Sequence, residues 1–444
     1  MRERCCEVVV MTLAVAVGHG RVLGQDAARP VGGWDFKFKR YLIGAWLGPD
    51  GTDAEVRVYK DAGFNVVMVG RYMAHGEYAL PERVAQELDL AQRHGLGAMI
   101  DTYTQNDKPW GGVIPARQTP GHHCATLEEL KWIHERFGGH PALVGYLLGD
   151  DQGAMSPQLV ACTKFLRENA PHLMPWICGW VPAAELAAHD NPFVNWQIYP
   201  TLYNTNESAK AQARRYCEAY DRMRRDCLRR GLTPWPMFNA CGDDVSDSTL
   251  RFPIYAALAY GAQGIWYFTY RTALTRSKEG QRGFERYEDA LANVKPNYYV
   301  AKKANHRVLA WGPKLLGRKC EGVLSTGWRI ENAVGPGPDV IVTGMSEDLL
   351  VGILTKPQRR LMAMVVDKRV SKEPGATPPR EVELTFSEMV TRIEVMATPK
   401  SRSMQGHRVG LTLEGGEGML LGLTARRGMR QDLERLASGV GNRE

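Results

Sequence analysis

Strand-like and helix-like segments alternate along the first two thirds of the chain. Short runs rich in β-branched and aromatic residues are each followed by a stretch whose apolar residues recur every three or four positions. The predicted strands are residues 41–46, 65–70, 97–101, 142–150, 176–180, 194–199, 235–240 and 264–270. The predicted helices are residues 53–62, 81–94, 126–137, 157–169, 209–230, 248–260 and 297–310. This succession predicts a (β/α)8 barrel, or TIM barrel, of the α/β class.

The pattern changes after the last of these helices. Short β-rich segments follow without any helical period, and turns rich in Gly and Pro separate them. These segments are residues 340–343, 349–355, 361–367, 380–386, 390–396 and 409–413. They predict a small all-β sandwich. We therefore expect a barrel at residues 33–312, a sandwich at 313–425 and a polar tail at 426–444.

The first residues have the pattern of an export signal. Arg2 and Arg4 precede an apolar run at residues 8–18, and the segment 22–24 that follows ends in the small residue Gly24. We expect residues 1–24 to be a signal peptide, and the protein to be secreted, periplasmic or on the cell surface. The alternative is that Met11 is the true initiator. No later segment has the length of a membrane span.

Composition and charge narrow the range of partners. The 444 residues carry a formal charge of +7, but the basic residues are scattered and are not interleaved with aromatics in one segment. A nucleic-acid partner is therefore not expected. No glycine-rich phosphate loop follows any strand, and no strand carries an HxH pair. The sequence accordingly predicts neither a cofactor nor a metal ion, and it predicts buried thiols in place of a disulfide framework.

Aromatic side chains and carboxylates recur where the predicted strands end. In a barrel these ends converge at one mouth, where active sites form. Aromatic rings stack on the C–H faces of sugar rings, while carboxylates bind hydroxyl groups and supply acid–base catalysis. We therefore expect a carbohydrate partner. The candidate substrate-binding residues are Trp46, Arg71, Asp101, Tyr103, Trp180, Tyr199, Asn239, Trp266 and Tyr270.

The fourth predicted strand carries a specific resemblance. Residues 140–154 read HPALVGYLLGDDQGA. This segment resembles the fourth-strand motif of β-galactosidase-like glycoside hydrolases of the large retaining barrel clan, which typically read HPAVLGYYLGDEPS. Residues 44–46, 62–66 and 255–270 also fit that group, and residues 411–421 are similar to the last strands of its β-sandwich. The resemblance implies a barrel with a C-terminal sandwich and an acid/base at position 151.

The sequence departs from that motif at the positions that carry the chemistry. Asp151 stands where the family has its acid/base Glu, and Gln152 where it has Pro. One methylene fewer withdraws the carboxyl group by roughly 1.5 Å. The seventh strand, where the clan places its nucleophilic Glu, contains Asn239 and no carboxylate. Asp243 and Asp244 follow in the loop.

Several functions remain open at this stage. The first is a glycoside hydrolase with Asp151 as general acid/base beside Asp150, and with Asp243, Asp244 or Asp101 as second carboxylate. Alternatively, Asp150 and Asp151 cap the following helix, and the protein is a carbohydrate-binding barrel without catalysis. A third possibility is a scaffold that makes contacts through its sandwich. The sequence does not specify the sugar, the linkage, exo or endo action, retention or inversion, or the oligomeric state.

Overall fold

A computed structural model describes most of the chain. It covers residues 32–36, 40–70, 81–102, 124–242, 245–277, 283–397 and 400–438. The predicted signal peptide at residues 1–24 lies outside these ranges, so that expectation stays a prediction.

Parallel strands form a closed barrel. In chain order the strands of this region are β1 (Leu42–Ala45), β2 (Val66–Val69), β3 (Gly97–Asp101), β4 (Leu143–Gln152), β5 (Met174–Gly179), β6 (Phe193–Ile198), β7 (Thr233–Pro234), β8 (Met237–Asn239) and β9 (Gly264–Phe268). β7 is a two-residue addition beside β6. The other eight strands of the described chain pair in the order β5-β4-β3-β2-β1-β9-β8-β6, and a β5–β6 pairing closes the ring. The predicted TIM barrel is confirmed.

Helices surround the barrel and connect its strands. They are α1 (Asp53–Asp61), α2 (Pro81–Arg93), α3 (Leu127–Phe137), α4 (Pro157–Asn169), α5 (Ala183–Ala188), α6 (Pro200–Tyr203), α7 (Ala209–Arg230), α8 (Asp247–Ala259), α9 (Arg271–Leu274), α10 (Tyr287–Ala292), α11 (Pro296–Leu315) and, near the C-terminus, α12 (Arg430–Ser438). α3 begins with a capping box, in which Thr126 and Glu129 each bind the other's backbone N–H. None of the described helices combines the length and the apolar character that a membrane crossing needs.

The C-terminal strands form two antiparallel sheets. They are β10 (Lys319–Ser325), β11 (Val342–Met345), β12 (Leu349–Thr355), β13 (Leu361–Asp367), β14 (Arg380–Phe386), β15 (Val390–Val395), β16 (Arg402–Gln405), β17 (Arg408–Leu413) and β18 (Gly418–Ala425). One sheet has the order β10-β12-β13-β18-β15-β16 and the other β11-β14-β17. The predicted all-β unit is therefore present.

The transition between the two units comes later than expected from the sequence. The predicted boundary at 312/313 falls inside α11, which continues to Leu315. It continues because Trp311 and Leu315 both belong to the buried face of that helix. The first sandwich strand starts at Lys319.

Two layers of apolar side chains flank the barrel wall. Inward-pointing residues fill the barrel, where the Trp176 ring lies 4.5 Å from the Trp266 ring and 5.2 Å from the Trp235 ring. Outward-pointing residues of the same strands pack under the helices. Because successive residues of a strand point to opposite sides, position along a strand decides which layer a side chain joins.

α8 connects the barrel to the sandwich. Every residue from Ser248 to Ala259 is buried, since one side of α8 faces the barrel and the other side faces the six-stranded sheet. At Gly352 of β12 the two backbones come so close that a Cβ atom would overlap the carbonyl oxygen of Ala259. Arg251 also spans the junction, donating from Nε to the carbonyl oxygen of Gly415 at 2.9 Å.

We expect Gly352→Ala to destabilise the protein by about 1–3 kcal/mol, because the added methyl group must push the sheet away from α8. Urea unfolding followed by circular dichroism measures the change. Gly410→Ala is the matched control, since Gly410 is also a strand glycine but has open space around the position of a Cβ. Its effect should stay within about 0.5 kcal/mol. Equal losses in both variants would contradict the docking argument.

Candidate active site

Side chains that point into the barrel at the ends of its strands form the floor of the mouth. Strand alternation places Trp46 two residues beyond Gly44 on the inner side of β1, and Asp101 two residues beyond the interior Met99. Tyr199 and Asn239 occupy the corresponding inner positions after β6 and in β8. All four are buried. The structure thus brings these four predicted residues together.

An irregularity in β4 brings a carboxylate into this group. The β4–β5 register shifts between Leu147 and Gly149 and again between Gly149 and Gln152. Within the second shift, Asp151 has a left-handed backbone, with φ of 53°. A β-bulge of this kind inserts an extra residue and redirects the side chains beside it. As a result Asp150 points inward. In a regular strand it would point outward, as Leu148 two residues earlier does.

Asp150 is held in place by hydrogen bonds from two directions. Gln197, an inward residue of β6, donates from Nε2 to Oδ1 of Asp150 at 3.0 Å. The same nitrogen lies 3.2 Å from Sγ of Cys178 on β5. The backbone N–H of Asp151 donates to the same Asp150 oxygen at 3.1 Å. Asp150 therefore links β4 to β6 across the mouth and stabilises the bulge through the amide of its own neighbour.

Asp151 in β4 and Trp180 directly after β5 follow neighbouring strands at the mouth. Asp151 is exposed, and Trp180 directly after β5 exposes 50% of its surface. Gly179, with φ of 142°, lets β5 approach β4 so closely that a Cβ atom would overlap the backbone of Gln152. The Trp180 N–H donates to the Gln152 carbonyl oxygen at 2.6 Å. The backbone of Trp180 is thereby fixed to that of Gln152, the residue after Asp151.

Aromatic rings cover the β6–β9 side of the mouth. The ring of Tyr199 stacks on Phe268 with centroids 4.7 Å apart and lies 6.0 Å from Tyr203. The Tyr199 hydroxyl donates to Sδ of Met237 at 2.9 Å, and burial raises its pKa well above the usual value of 10.0. It is therefore a neutral hydroxyl. Tyr203, in α6, exposes 59% of its surface and offers a second aromatic face on the rim.

Asn239 forms a closed set of hydrogen bonds at the end of β8. Its Oδ1 accepts from the Cys241 N–H at 3.0 Å, and its Nδ2 donates to the Cys241 carbonyl oxygen and to Thr201 Oγ1, each at 2.7 Å. These bonds orient the loop after the strand. The inward position at the end of the seventh barrel strand is thus an amide engaged with the protein's own backbone.

Two of the predicted residues lie away from the mouth. The Trp266 side chain is fully buried inside the barrel, one layer below Phe268, and packs on Trp176. Tyr270 points outward, with its ring 4.8 Å from that of Tyr59 under the helical layer. The prediction that Tyr270 lines the cavity is wrong, because β9 ends at Phe268 and Tyr270 already has a helical backbone before α9, so that strand alternation no longer sets its direction.

The alternative role for the two aspartates as a helix cap is also wrong. Ser156 caps α4, and its side chain accepts a hydrogen bond from the Leu159 N–H. Asp150 and Asp151 belong to β4 itself. Arg71, Tyr103 and Asp243, with Asp244, lie outside the described residues and stay predictions.

A cluster of charged groups that the sequence did not reveal lies behind the ends of β1, β2 and β9. Asp50 accepts from the Gly283 N–H at 2.6 Å and pairs with Arg271 at 3.2 Å. Glu55 accepts from the Asp50 N–H at 2.6 Å, and burial raises its pKa. Glu87 of α2 accepts from the N–H of Gly70, directly after β2, at 3.0 Å. Burial raises the pKa of Glu87 from 4.5 to about 7, against the opposing effect of the Gly70 hydrogen bond.

Some of the missed residues had a signal in the sequence. Gln197 shares the inward face of β6 with Phe193 and Tyr199, so a polar residue at this period-two position could have been read as facing the mouth. Tyr203 follows the same strand by a few residues. Glu87 had no such signal, because it lies in an amphipathic helix where an exposed carboxylate is ordinary. In the ranges that the structure covers, no group of three or more His, Cys, Asp or Glu side chains is arranged to hold a metal ion.

We expect the free energy of unfolding to fall as the pH rises from about 5 to about 8, and Glu87 to cause part of this fall. Because the folded-state pKa is raised from 4.5 to about 7, the folded protein retains a proton that the unfolded chain has lost. Stability from Glu87 is therefore present below about pH 4.5 and decreases through about pH 7, by at most about 3 kcal/mol. Glu87→Gln should flatten this dependence in urea unfolding. Glu82→Gln, an exposed position on the same helix, should leave it unchanged; an identical pH profile for wild type and Glu87→Gln would refute the assignment.

Comparison with known proteins identifies the architecture and does not assign a family. A solved structure described as a glycoside hydrolase is 14% identical, covers 87% of this chain and 92% of its own, and superimposes with a TM-score of 0.51. A glycoside hydrolase family 5 protein from Bacteroides vulgatus is 12% identical, with coverages of 87% and 89% and a TM-score of 0.50. No protein-family model matches the chain, and no curated protein sequence matches it. At these identities the likeness establishes a shared fold.

Proposed function

We propose that this protein is a glycoside hydrolase that binds a carbohydrate at the barrel mouth, with Asp151 as its general acid/base. The observation that carries the proposal is the β4 bulge. Asp151 on this bulge is exposed, Asp150 accepts a hydrogen bond from the inward-pointing Gln197, and the exposed Trp180 follows the neighbouring strand. A glycoside hydrolase needs one carboxyl group as the acid/base and a second across the scissile bond, and the exposed Asp151 is our candidate for the first.

The two aspartates have different surroundings, and these suggest different roles. Asp151 is exposed and open to a glycosidic oxygen, so it is suited to donate a proton to the leaving group. Asp150 is 7% exposed and accepts two hydrogen bonds, so it is suited to hold the bulge and to bind a sugar hydroxyl. Asp101 is the inward-pointing carboxylate of the neighbouring strand β3. Among the residues that the structure describes, it is our candidate for the second catalytic group. Asp243 remains the other candidate.

Aromatic residues on the rim support a carbohydrate as the ligand. Trp180 and Tyr203 follow the adjacent strands β5 and β6, and both expose half or more of their surface. Such rings offer flat apolar faces to the C–H groups of a saccharide, while Asp150 and Asp151 accept hydrogen bonds from its hydroxyls. The barrel fold shared with two glycoside hydrolase structures agrees with this substrate class.

One observation favours a second candidate function, which is carbohydrate binding without hydrolysis. The resemblance places a nucleophilic Glu at the end of the seventh barrel strand, and Asn239 there is engaged with Thr201 and Cys241. An amide cannot form the glycosyl ester of a retaining mechanism. A binding protein would need the aromatic rim and the inward carboxylates but not the acid function of Asp151.

Asp151→Asn should lower the turnover of a hydrolysed glycoside on the order of 10²–10⁴-fold, because the proton donor is lost. The loss should be smaller for aryl glycosides with good leaving groups, which need little protonation. Binding of the sugar should persist, since the amide still hydrogen-bonds hydroxyls. Asp339→Asn, an exposed aspartate before the sandwich strand β11, is the control and should have full activity.

Unchanged turnover in Asp151→Asn would end the acid/base assignment. If neither the wild type nor Asp151→Glu hydrolyses any member of an aryl glycoside panel while both bind oligosaccharides, the binding-only function replaces the enzyme.

Trp180→Ala should weaken oligosaccharide binding on the order of tenfold, the loss expected for one stacked aromatic ring. Trp180→Phe should recover part of the affinity because a smaller ring remains. Isothermal titration with a panel of soluble oligosaccharides provides the measurement. Tyr299→Ala is the matched control, since Tyr299 is 55% exposed on α11 and is not one of the residues that end a barrel strand. A similar loss in both variants would show that Trp180 is not a sugar platform.

A further inference from the structure

A cavity of about 470 Å³ lies at the end of the barrel opposite to the mouth. Residues 231–234 and 261–263, which lead into the barrel strands at their N-terminal ends, form one wall, and residues 316–320 at the start of the sandwich form another. The volume is in the range of sites for small organic ligands. It is distinct from the candidate active site, because none of its lining residues belongs to the strand ends at the mouth.

The charged residues that line this cavity are all basic. They are Arg224, Arg318, Lys319 and Lys356, and the lining includes no carboxylate. Arg224 and Arg318 are more than nine-tenths buried. Two buried guanidinium groups and two lysines around one concave space create a positive potential there.

Arg318 is the residue whose surroundings most directly suggest a ligand. Its Nε donates to the Lys314 carbonyl oxygen at 2.5 Å, and its Nη1 donates to the carbonyl oxygens of Leu354 and Arg360 at 3.3 and 2.8 Å. Within the described chain no carboxylate pairs with this guanidinium. Burial, with a contribution from Arg360, lowers its pKa to about 10, so it stays charged at neutral pH. The two N–H groups of Nη2 remain for another acceptor.

The C-terminal ends of three helices offset part of this positive charge. α7, α8 and α11 all finish near the cavity, and each C-terminus carries about half a negative charge. Lys356, which donates to the Leu316 carbonyl oxygen at 2.9 Å, serves one of these ends. Arg224 pairs with Asp221, whose Oδ1 accepts from its Nε and Nη2 at 3.0 and 2.7 Å and whose Oδ2 also pairs with Arg225 at 2.9 Å. Arg318, Lys319 and Lys356 then face only the partial charges of these helix ends, and the excess of positive charge favours an anion.

We propose that this cavity binds a small organic oxyanion, with a phosphate or carboxylate group held by Arg318, Lys319 and Lys356. The two N–H groups of Arg318 Nη2 can donate to oxygens of such a group, and the lysines add charge at its sides. Apolar lining residues such as Leu228 and Leu232 accommodate the carbon part of the molecule. The site stands apart from the mouth and does not depend on the proposed hydrolase activity.

Isothermal titration of the full chain with inorganic phosphate, and separately with citrate, tests the site and distinguishes the two anion classes. Sodium chloride keeps the ionic strength constant, and uncharged glycerol serves as a blank. We expect saturable binding of at least one anion, accompanied by a rise in Tm. Lys319→Gln should weaken it on the order of tenfold, the effect of losing one charge-assisted contact. Lys319→Gln/Lys356→Gln should abolish it.

Lys131→Gln is the matched control, because the substitution removes the same charge from an exposed position on α3 that lies outside the cavity lining. Circular dichroism melts confirm that each variant folds, and Lys319 is suitable because it is an exposed side chain. Failure of the wild type to bind either anion saturably would overturn the proposal. Equal anion affinity in Lys131→Gln and Lys319→Gln/Lys356→Gln would also overturn it. The two lysines would then only neutralise the partial charges of the helix C-termini.

Discussion

The contact between α8 and the six-stranded sheet is the constraint on which the two-part architecture depends. A helix of the barrel's outer layer normally has one face in water, but α8 is buried from Ser248 to Ala259 because the sandwich covers its other side. The contact is between backbones at Gly352 and Ala259, where no larger residue fits. The barrel therefore does not end at its helices: the sandwich is packed as part of the same structure, and the cavity at the barrel's lower end exists only because both units form its walls.

Much of this architecture follows from local sequence patterns. The strands predicted at 349–355, 361–367 and 380–386 coincide with β12, β13 and β14, because their apolar runs are bounded by clear turns. The capping box at Thr126 was also readable, since it needs only two residues at a fixed spacing. β10 was not predicted. Its residues mix polar and apolar types, and its pairing with β12 across a long loop decides its conformation.

The candidate site was predictable only as far as the strands are regular. Period-two alternation brings Trp46, Asp101, Tyr199 and Asn239 to the mouth. It fails for Tyr270, because β9 ends at Phe268 and the chain has turned into α9, which directs the Tyr270 ring to the outer layer. Asp150 could not be placed in this way. Its inward direction results from two register shifts between β4 and β5, which depend on contacts between strands and leave no local sequence signal.

The bulge also changes what the replacement of Glu by Asp at position 151 means. In a regular strand the shorter side chain withdraws its carboxyl group by roughly 1.5 Å, and proton transfer suffers. Here the backbone itself is displaced, because Asp151 has a left-handed conformation fixed by the Asp150 carboxylate and by the close approach of Gly179. Reach is thus set by the backbone as well as by side-chain length. An Asp on this bulge does not have to fall short of a sugar that a Glu on a regular strand would contact, and the loss of one methylene is no argument by itself that the site is inactive.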